Sequence, residues 1–213
     1  MTANHADRIP RYGAATRINH WIVAITFVLL ALSGFALFHP ALFWLTNLFG
    51  GGPWTRLLHP FMGCFLVAAF LALGLRVGRD NTFEQRDWAW LRRFNDVVQN
   101  REQNLPDVGR YNGGQKFLYF TIVLCLTLLF LSGLVIWREY FSAHVSVGVL
   151  RLGSLAHAFL AVVLTCAIVV HIYAALWVKG SIRAMTRGWV APGWAWKHHR
   201  AWYREVTRNP QQR

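Results

Sequence analysis

The chain has 213 residues, 55% of them hydrophobic and only 15% charged, with 11 tryptophans and a formal net charge of +13. Apolar content of this order, gathered into long blocks, points to the membrane class and away from an ordinary soluble domain. The basic residues fall in particular loops and a tail, where they act as topology signals and lipid-headgroup contacts, so nucleic acid is set aside as a partner.

Four stretches, 19–37, 57–75, 117–137 and 149–178, reach the ~20 residues of helix needed to cross ~30 Å of hydrocarbon. The expected fold class is an all-α membrane protein: four transmembrane helices in a bundle, one membrane-embedded domain over 1–213 with a tail at 179–213. The first helix follows a long polar start and ends without a small-x-small cleavage site, so it reads as a retained helix and not a signal peptide. Arg8, Arg11 and Arg17 precede it, whereas the connection 38–53 carries no Lys, Arg, Asp or Glu. The second loop holds Arg76, Arg79, Arg86, Arg92, Arg93, Arg101 and Arg110, and the tail adds six more cations between Lys179 and Arg204. This bias places the N- and C-termini and the second loop in the cytoplasm, and the other two connections outside.

Within the second loop, 82–98 sets Phe83, Trp88, Trp90, Leu91 and Phe94 among charges, as expected of an interfacial amphipathic helix. The tail segment 189–203 mixes Trp194, Trp196, Trp202 and Tyr203 with basic residues, a headgroup composition. Neither segment reads as an independent domain. Cys64, Cys125 and Cys166 lie inside apolar stretches without a CxxC pair and read as small packing residues. Leu32-Ser33-Gly34 in the first helix is echoed by Leu131-Ser132-Gly133 in the third. Such small residues either let helices pack closely or leave room for a flat macrocycle.

Of the nine histidines, His20, His59, His157 and His171 lie inside or at the ends of apolar helices. An ionisable group there is costly and marks a functional-site candidate; for any one alone, a neutral imidazole bonded to a neighbouring helix would also do. His157 and His171 are 14 residues apart on one helix, a rise of ~21 Å and a rotation of ~1,400°, about 40° short of four full turns. Both imidazoles therefore project from one face at two depths. Topology pairs His59 with His157 at the outer side and His20 with His171 at the cytoplasmic side. Zinc sites ask for three or four protein ligands, whereas two trans imidazoles suit a six-coordinate b-type haem built for electron transfer. No CxxCH occurs for covalent attachment. His5, His39, His144, His198 and His199 read as solvated or interfacial, with His39 and His144 as weaker alternatives for an outer ligand.

Arg17-Ile18-Asn19-His20-Trp21, Leu58-His59-Pro60, Tyr111-Asn112-Gly113-Gly114-Gln115-Lys116, Leu155-Ala156-His157 and His171-Ile172-Tyr173, in that order, resemble the gamma subunit of respiratory formate dehydrogenase. The resemblance covers about residues 12–203. Nickel–iron hydrogenase cytochrome b subunits are similar in helix count and some histidine placement, and the Tyr-Asn-x-Gly-Gln-Lys run favours formate dehydrogenase.

The resemblance implies two haem b groups on the pairs His59/His157 and His20/His171, and a menaquinone or ubiquinone site at Asn112 and Gly114. Read without it, Tyr-Asn-Gly-Gly is also an ordinary turn ahead of a helix. It further implies an iron–sulfur beta subunit as electron donor, fed by a molybdenum- or tungsten-containing catalytic alpha subunit, in a bacterial inner membrane. Formate oxidation would belong to that partner, since this chain has neither cysteine clusters nor a soluble domain for it. Electrons are expected to enter at the outer haem and leave to quinone at the cytoplasmic side, which moves negative charge inward and takes up protons there. A hydrogenase cytochrome subunit, or a haem-free anchor or transporter component, are the alternative readings.

Overall fold

The structure, a computed structural model, describes residues 8–208. In chain order its elements are β1 Ile9–Pro10, α1 Ala14–Phe38, α2 Gly52–Val77, α3 Gln85–Arg92, α4 Phe94–Val98, α5 Gly113–Ile136, α6 Val147–Trp177, α7 Ser181–Arg187, β2 Trp189–Val190, α8 Pro192–His198 and α9 Arg200–Arg208. Short 3-10 turns fill several connections, the longest being Pro40–Phe49 between α1 and α2.

α1, α2, α5 and α6 have 25, 26, 24 and 31 residues and are each long and apolar enough to cross a membrane. They extend past the expected apolar stretches mainly at their N-terminal ends. α1 begins at Ala14, not 19, because Thr16 and Arg17 continue the helix; helical hydrogen bonding asks nothing of side-chain polarity, so an apolar window underestimates the span.

The chain divides into two compact units. One consists of residues 19–74 and 121–170, the apolar middles of the four long helices. Leu66 of α2, Cys125 and Leu126 of α5 and Leu164 of α6 form its buried core, and Phe27 and Leu30 of α1 pack against them. All four helices thus share one hydrophobic centre. Their outer faces carry Ile25, Leu71, Phe159 and Val169, each about three-fifths exposed, as a lipid-facing surface requires. Gly153 of α6 lets α5 come close: a Cβ there would stand 3.1 Å from Cγ1 of Val135. Cys125 packs as expected, whereas Cys166 is exposed on the outer face.

The other unit, described over 8–18, 75–120 and 171–208, joins the chain's polar pieces. β1 and β2 pair antiparallel, Ile9 with Val190 and Pro10 with Trp189. The amides of Arg11 and Tyr12 then donate to the Gly188 carbonyl at 2.8 and 3.2 Å. Gly188 ends α7 with φ +85°, and a Cβ there would lie 2.8 Å from the Tyr12 carbonyl oxygen, so glycine is required twice over. Ile9, Ala184, Val190, Ala195 and Trp202 make a small core. Arg11 and Arg110 each donate to the other's backbone carbonyl, and Val108 accepts from the amides of Ala201 and Trp202. The tail is therefore part of a folded unit with its own core, more than a strip of headgroup contacts.

Two expectations change here. The single amphipathic helix over 82–98 is split into α3 and α4 at Arg93, whose backbone (φ −102°, ψ 25°) leaves the helical region. Trp90 turns into the protein while Trp88, Phe94 and Val98 stay exposed. His199, read as solvated or interfacial, is 2% exposed. Its Nδ1 donates to the Gly109 carbonyl at 2.9 Å and its Nε2 faces Arg11 Nη2 at 3.3 Å.

Candidate haem site

Within the unit of helix middles, His59 of α2 and His157 of α6 come together: their ring centres are 6.3 Å apart and their planes 70° inclined. Both are half-buried. His59 stands one residue before Pro60, which lacks the amide that would bond the Arg56 carbonyl and so loosens α2 locally without breaking it.

The spacing can be tested against a metal bound between the rings. A metal–imidazole bond is about 2 Å and the ring centre lies about 1 Å beyond the nitrogen, so two imidazoles on opposite sides of one metal stand about 6 Å apart. The observed 6.3 Å fits that arrangement.

Each ring also has a hydrogen-bonding partner on its Nδ1 side. Ser33 Oγ lies 2.8 Å from His59 Nδ1, and Ser132 Oγ lies 3.1 Å from His157 Nδ1. The neighbouring glycines make room: a Cβ at Gly34 would meet His59 Cε1 at 3.3 Å, and one at Gly133 would meet His157 Cε1 at 3.3 Å. The two Leu-Ser-Gly tripeptides thus face imidazoles, a role that neither helix packing nor macrocycle clearance had assigned them. Among the described residues no three His, Cys, Asp or Glu side chains converge as a bare-ion site would require.

His20 belongs to the same unit, in the second turn of α1, with Trp21 edge-on at 5.5 Å. His171 belongs to the other unit, near the end of α6, and is half-buried. His39 and His144, the weaker alternatives, are exposed, and His39 Nδ1 accepts from the Ala41 amide at 3.2 Å, capping the 3-10 helix that follows. His5 lies outside the described residues.

Asn112 and Gly114 sit at the start of α5. Asn112 Oδ1 accepts from the Gln115 amide at 2.9 Å and Gln115 Oε1 accepts from the Asn112 amide at 3.0 Å, a reciprocal cap. Gly113 lies against the α3 backbone, where a Cβ would stand 2.5 Å from the Asp87 carbonyl oxygen; at Gly114 it would meet the Trp90 ring at 2.9 Å. The cap uses the oxygen of the Asn112 amide, which leaves its NH2 group as a donor. A helix start also leaves its first amides, here Gly113 and Gly114, without intrahelical acceptors.

Residues 11–188 match the family model for prokaryotic cytochrome b561. The chain belongs to that family. It is therefore a multi-pass membrane cytochrome b, and haem b is its cofactor. Over 207 residues, 97% of each chain, the cytochrome is 44% identical to the formate dehydrogenase cytochrome b556(fdo) subunit of Escherichia coli strain K12. Against the formate dehydrogenase cytochrome b556 subunit of Haemophilus influenzae it is 41% identical, covering 93% of this chain and 83% of the relative. The nitrate-inducible cytochrome b556(Fdn) subunit of Escherichia coli is likewise 41% identical, with 90% and 88% covered.

Sequence reasoning singled out the four histidines from their cost in lipid. It missed the functional environment of Ser33 and Ser132, although their repeated tripeptide was visible.

Proposed function

We propose that this cytochrome is the membrane subunit of a formate dehydrogenase complex, carrying electrons from an iron–sulfur subunit to a quinone. What supports this best is the similarity to three formate dehydrogenase cytochrome subunits over 90–97% of this chain, together with the family match over 11–188, which takes in His20, His59, His157, His171 and the start of α5. His59 and His157 hold one haem b, and His20 and His171 a second. When bound, such a six-coordinate haem supplies one-electron transfer and leaves no position for oxygen.

The Asn112 side-chain NH2 and the Gly114 amide donate hydrogen bonds to a carbonyl of menaquinone or ubiquinone. The positive bias of 76–110 and of the tail supports a reading in which both termini and this site lie on the cytoplasmic face of a bacterial inner membrane, where protons for quinone reduction are available. The companions are an iron–sulfur beta subunit and a molybdenum- or tungsten-containing alpha subunit that oxidises formate.

The test is a dithionite-reduced-minus-oxidised spectrum of the purified complex, with pyridine haemochrome quantification per chain and identification of the co-purifying subunits. Two b-type haems with formate-reducible absorbance are expected. Absorbance that responds to hydrogen and not formate would assign the chain to a hydrogenase, and folded protein without haem would return it to a plain anchor.

A further inference from the structure

The Leu-Ser-Gly tripeptides of α1 and α5 have no part in the function proposed above, yet each meets one imidazole of the His59–His157 pair in the same way. Ser33 Oγ, 2.8 Å from His59 Nδ1, directs its proton to the Leu30 carbonyl, 3.1 Å away. Ser132 Oγ, 3.1 Å from His157 Nδ1, directs its proton to the Leu128 carbonyl at 2.7 Å. A hydroxyl has one proton and two lone pairs. With the proton committed to the backbone, each serine turns a lone pair toward the ring. Nδ1 must then carry the imidazole hydrogen, and Nε2 keeps its lone pair for a metal.

Ser33 is wholly buried, so water does not compete for its bond to His59. Gly34 and Gly133 complete the arrangement, since a Cβ at either would press on the imidazole Cε1 from 3.3 Å and shift the ring against its serine. The reach is also matched: the two bonds span 26 and 25 residues of sequence, from one helix to the next in each of two helical hairpins.

We propose that Ser33 and Ser132 are positioning residues for the two ligands of a single haem, fixing the Nδ1–H tautomer, aiming Nε2 at the iron and strengthening the ligands as donors. The proposal rests on the pairing of His59 with His157 stated above. A metal-bound imidazole whose other nitrogen donates a hydrogen bond is the more basic ligand. Stronger donation favours ferric over ferrous iron and holds the reduction potential down. Both serines serve one haem, so losing either should move one potential and leave the other.

The experiment is a spectroscopic redox titration of the intact purified complex carrying Ser33→Ala, Ser132→Ala, both together, or Ser132→Thr. Each alanine is expected to shift the same one of two midpoint potentials upward, the double variant further still. Ser132→Thr is expected to keep the wild-type value, because the hydroxyl stays and position 132 is only half-buried. Unchanged potentials in both alanine variants, or a threonine shift as large as the alanine shift, overturn the proposal. Should Ser132→Ala lose a haem outright, retention in Ser132→Thr supports the role and loss in both overturns it. His59→Ala, titrated alongside, separates the two layers. If it keeps every haem, the pairing itself has failed; if it loses one while the serine variants are silent, only the positioning role falls.

Discussion

Lys116 Nζ lies 2.7 Å from Asp87 Oδ2, and neither side chain reaches water: Asp87 is 0% and Lys116 3% exposed. Both bonded atoms have a further partner, while Asp87 Oδ1 accepts no hydrogen bond among the described residues. Asp87 Oδ2 also accepts from the Glu84 amide at 2.8 Å, and Lys116 Nζ donates to the Thr82 carbonyl at 2.8 Å. It ties α3 to the first turn of α5, next to the close approach of Gly113 and Asp87. Removing one partner strands a buried charge, which costs about 3–5 kcal/mol, whereas replacing both by apolar groups is far milder. Asp87→Ala should therefore lower the thermal stability of the complex and its quinone turnover together. The double variant Asp87→Leu/Lys116→Met should recover most of the stability in a thermal melt. Equal losses in single and double variants would show that the pair contributes through something other than its charge balance.

Asn112 caps α5 and, in the function proposed above, also binds quinone. As the N-cap of α5 it uses Oδ1, a role that serine performs about as well, while loss to alanine costs about 1 kcal/mol. Only the amide offers an NH2 donor to quinone. Asn112→Ser should keep both haems and wild-type melting behaviour while raising the apparent KM for quinone or lowering turnover. Steady-state assays with a soluble quinone analogue would decide: wild-type turnover in Asn112→Ser, with a lower melting temperature in Asn112→Ala, would assign Asn112 to the cap alone.

The buried pair of His199 and Arg11 makes the polar unit sensitive to acid. Burial holds the His199 pKa well below its ordinary value, and the Arg11 charge lowers it further, against a smaller upward pull from its bond to Gly109. In the unfolded chain this histidine takes up a proton near pH 6.5. Below that pH the unfolded state binds more protons than the folded one. Stability is then full above the unfolded pKa and falls as pH drops through and below it, by up to about 1.4 kcal/mol per pH unit. Limited proteolysis of the tail at pH 7.5 and pH 5.5 should show faster cleavage at the lower pH. In His199→Gln the pH dependence should flatten, and an unchanged slope there would place the acid sensitivity elsewhere.

The four long helices were legible because crossing hydrocarbon leaves so large a compositional mark that no long-range information is needed. Their extra turns were not, since polar residues such as Thr16 and Arg17 continue a helix without any apolar signal. The meeting of His59 and His157 could be anticipated from charge bias and depth alone. The Ser33 and Ser132 contacts could not, because the tripeptides do not say which neighbouring helix they face. In the tail, tryptophans among cations look the same whether they lie on lipid or pack inside a folded unit. What decides for the folded unit is a pair of two-residue strands far apart in sequence, Ile9–Pro10 and Trp189–Val190, and no local pattern announces a contact of that range. His199 was misread for the same reason: its neighbours Lys197, His198 and Arg200 are polar, while the groups that bury it, Arg11 and Gly109, are remote in sequence.

The two proposed haem positions can be separated by single histidine replacements. His59→Ala removes one ligand of the His59–His157 pair, and His171→Ala one ligand of the other; a haem held by one imidazole loses half its axial coordination. Each variant should carry about one haem fewer per chain by pyridine haemochrome than wild type. The remaining haem should differ between them in midpoint potential, since the serine contacts belong to the His59–His157 pair alone. Formate-driven quinone reduction should stop in both, because in the proposed route electrons pass both positions. The half-reactions then tell them apart. With His171 replaced, formate should still reduce the haem held by His59 and His157, leaving it reduced in the presence of quinone. With His59 replaced, formate should reduce no haem, while reduced quinone should still donate to the other. Retention of both haems and full turnover in His171→Ala would sink the pairing with His20, and the same result in His59→Ala would sink the pairing with His157.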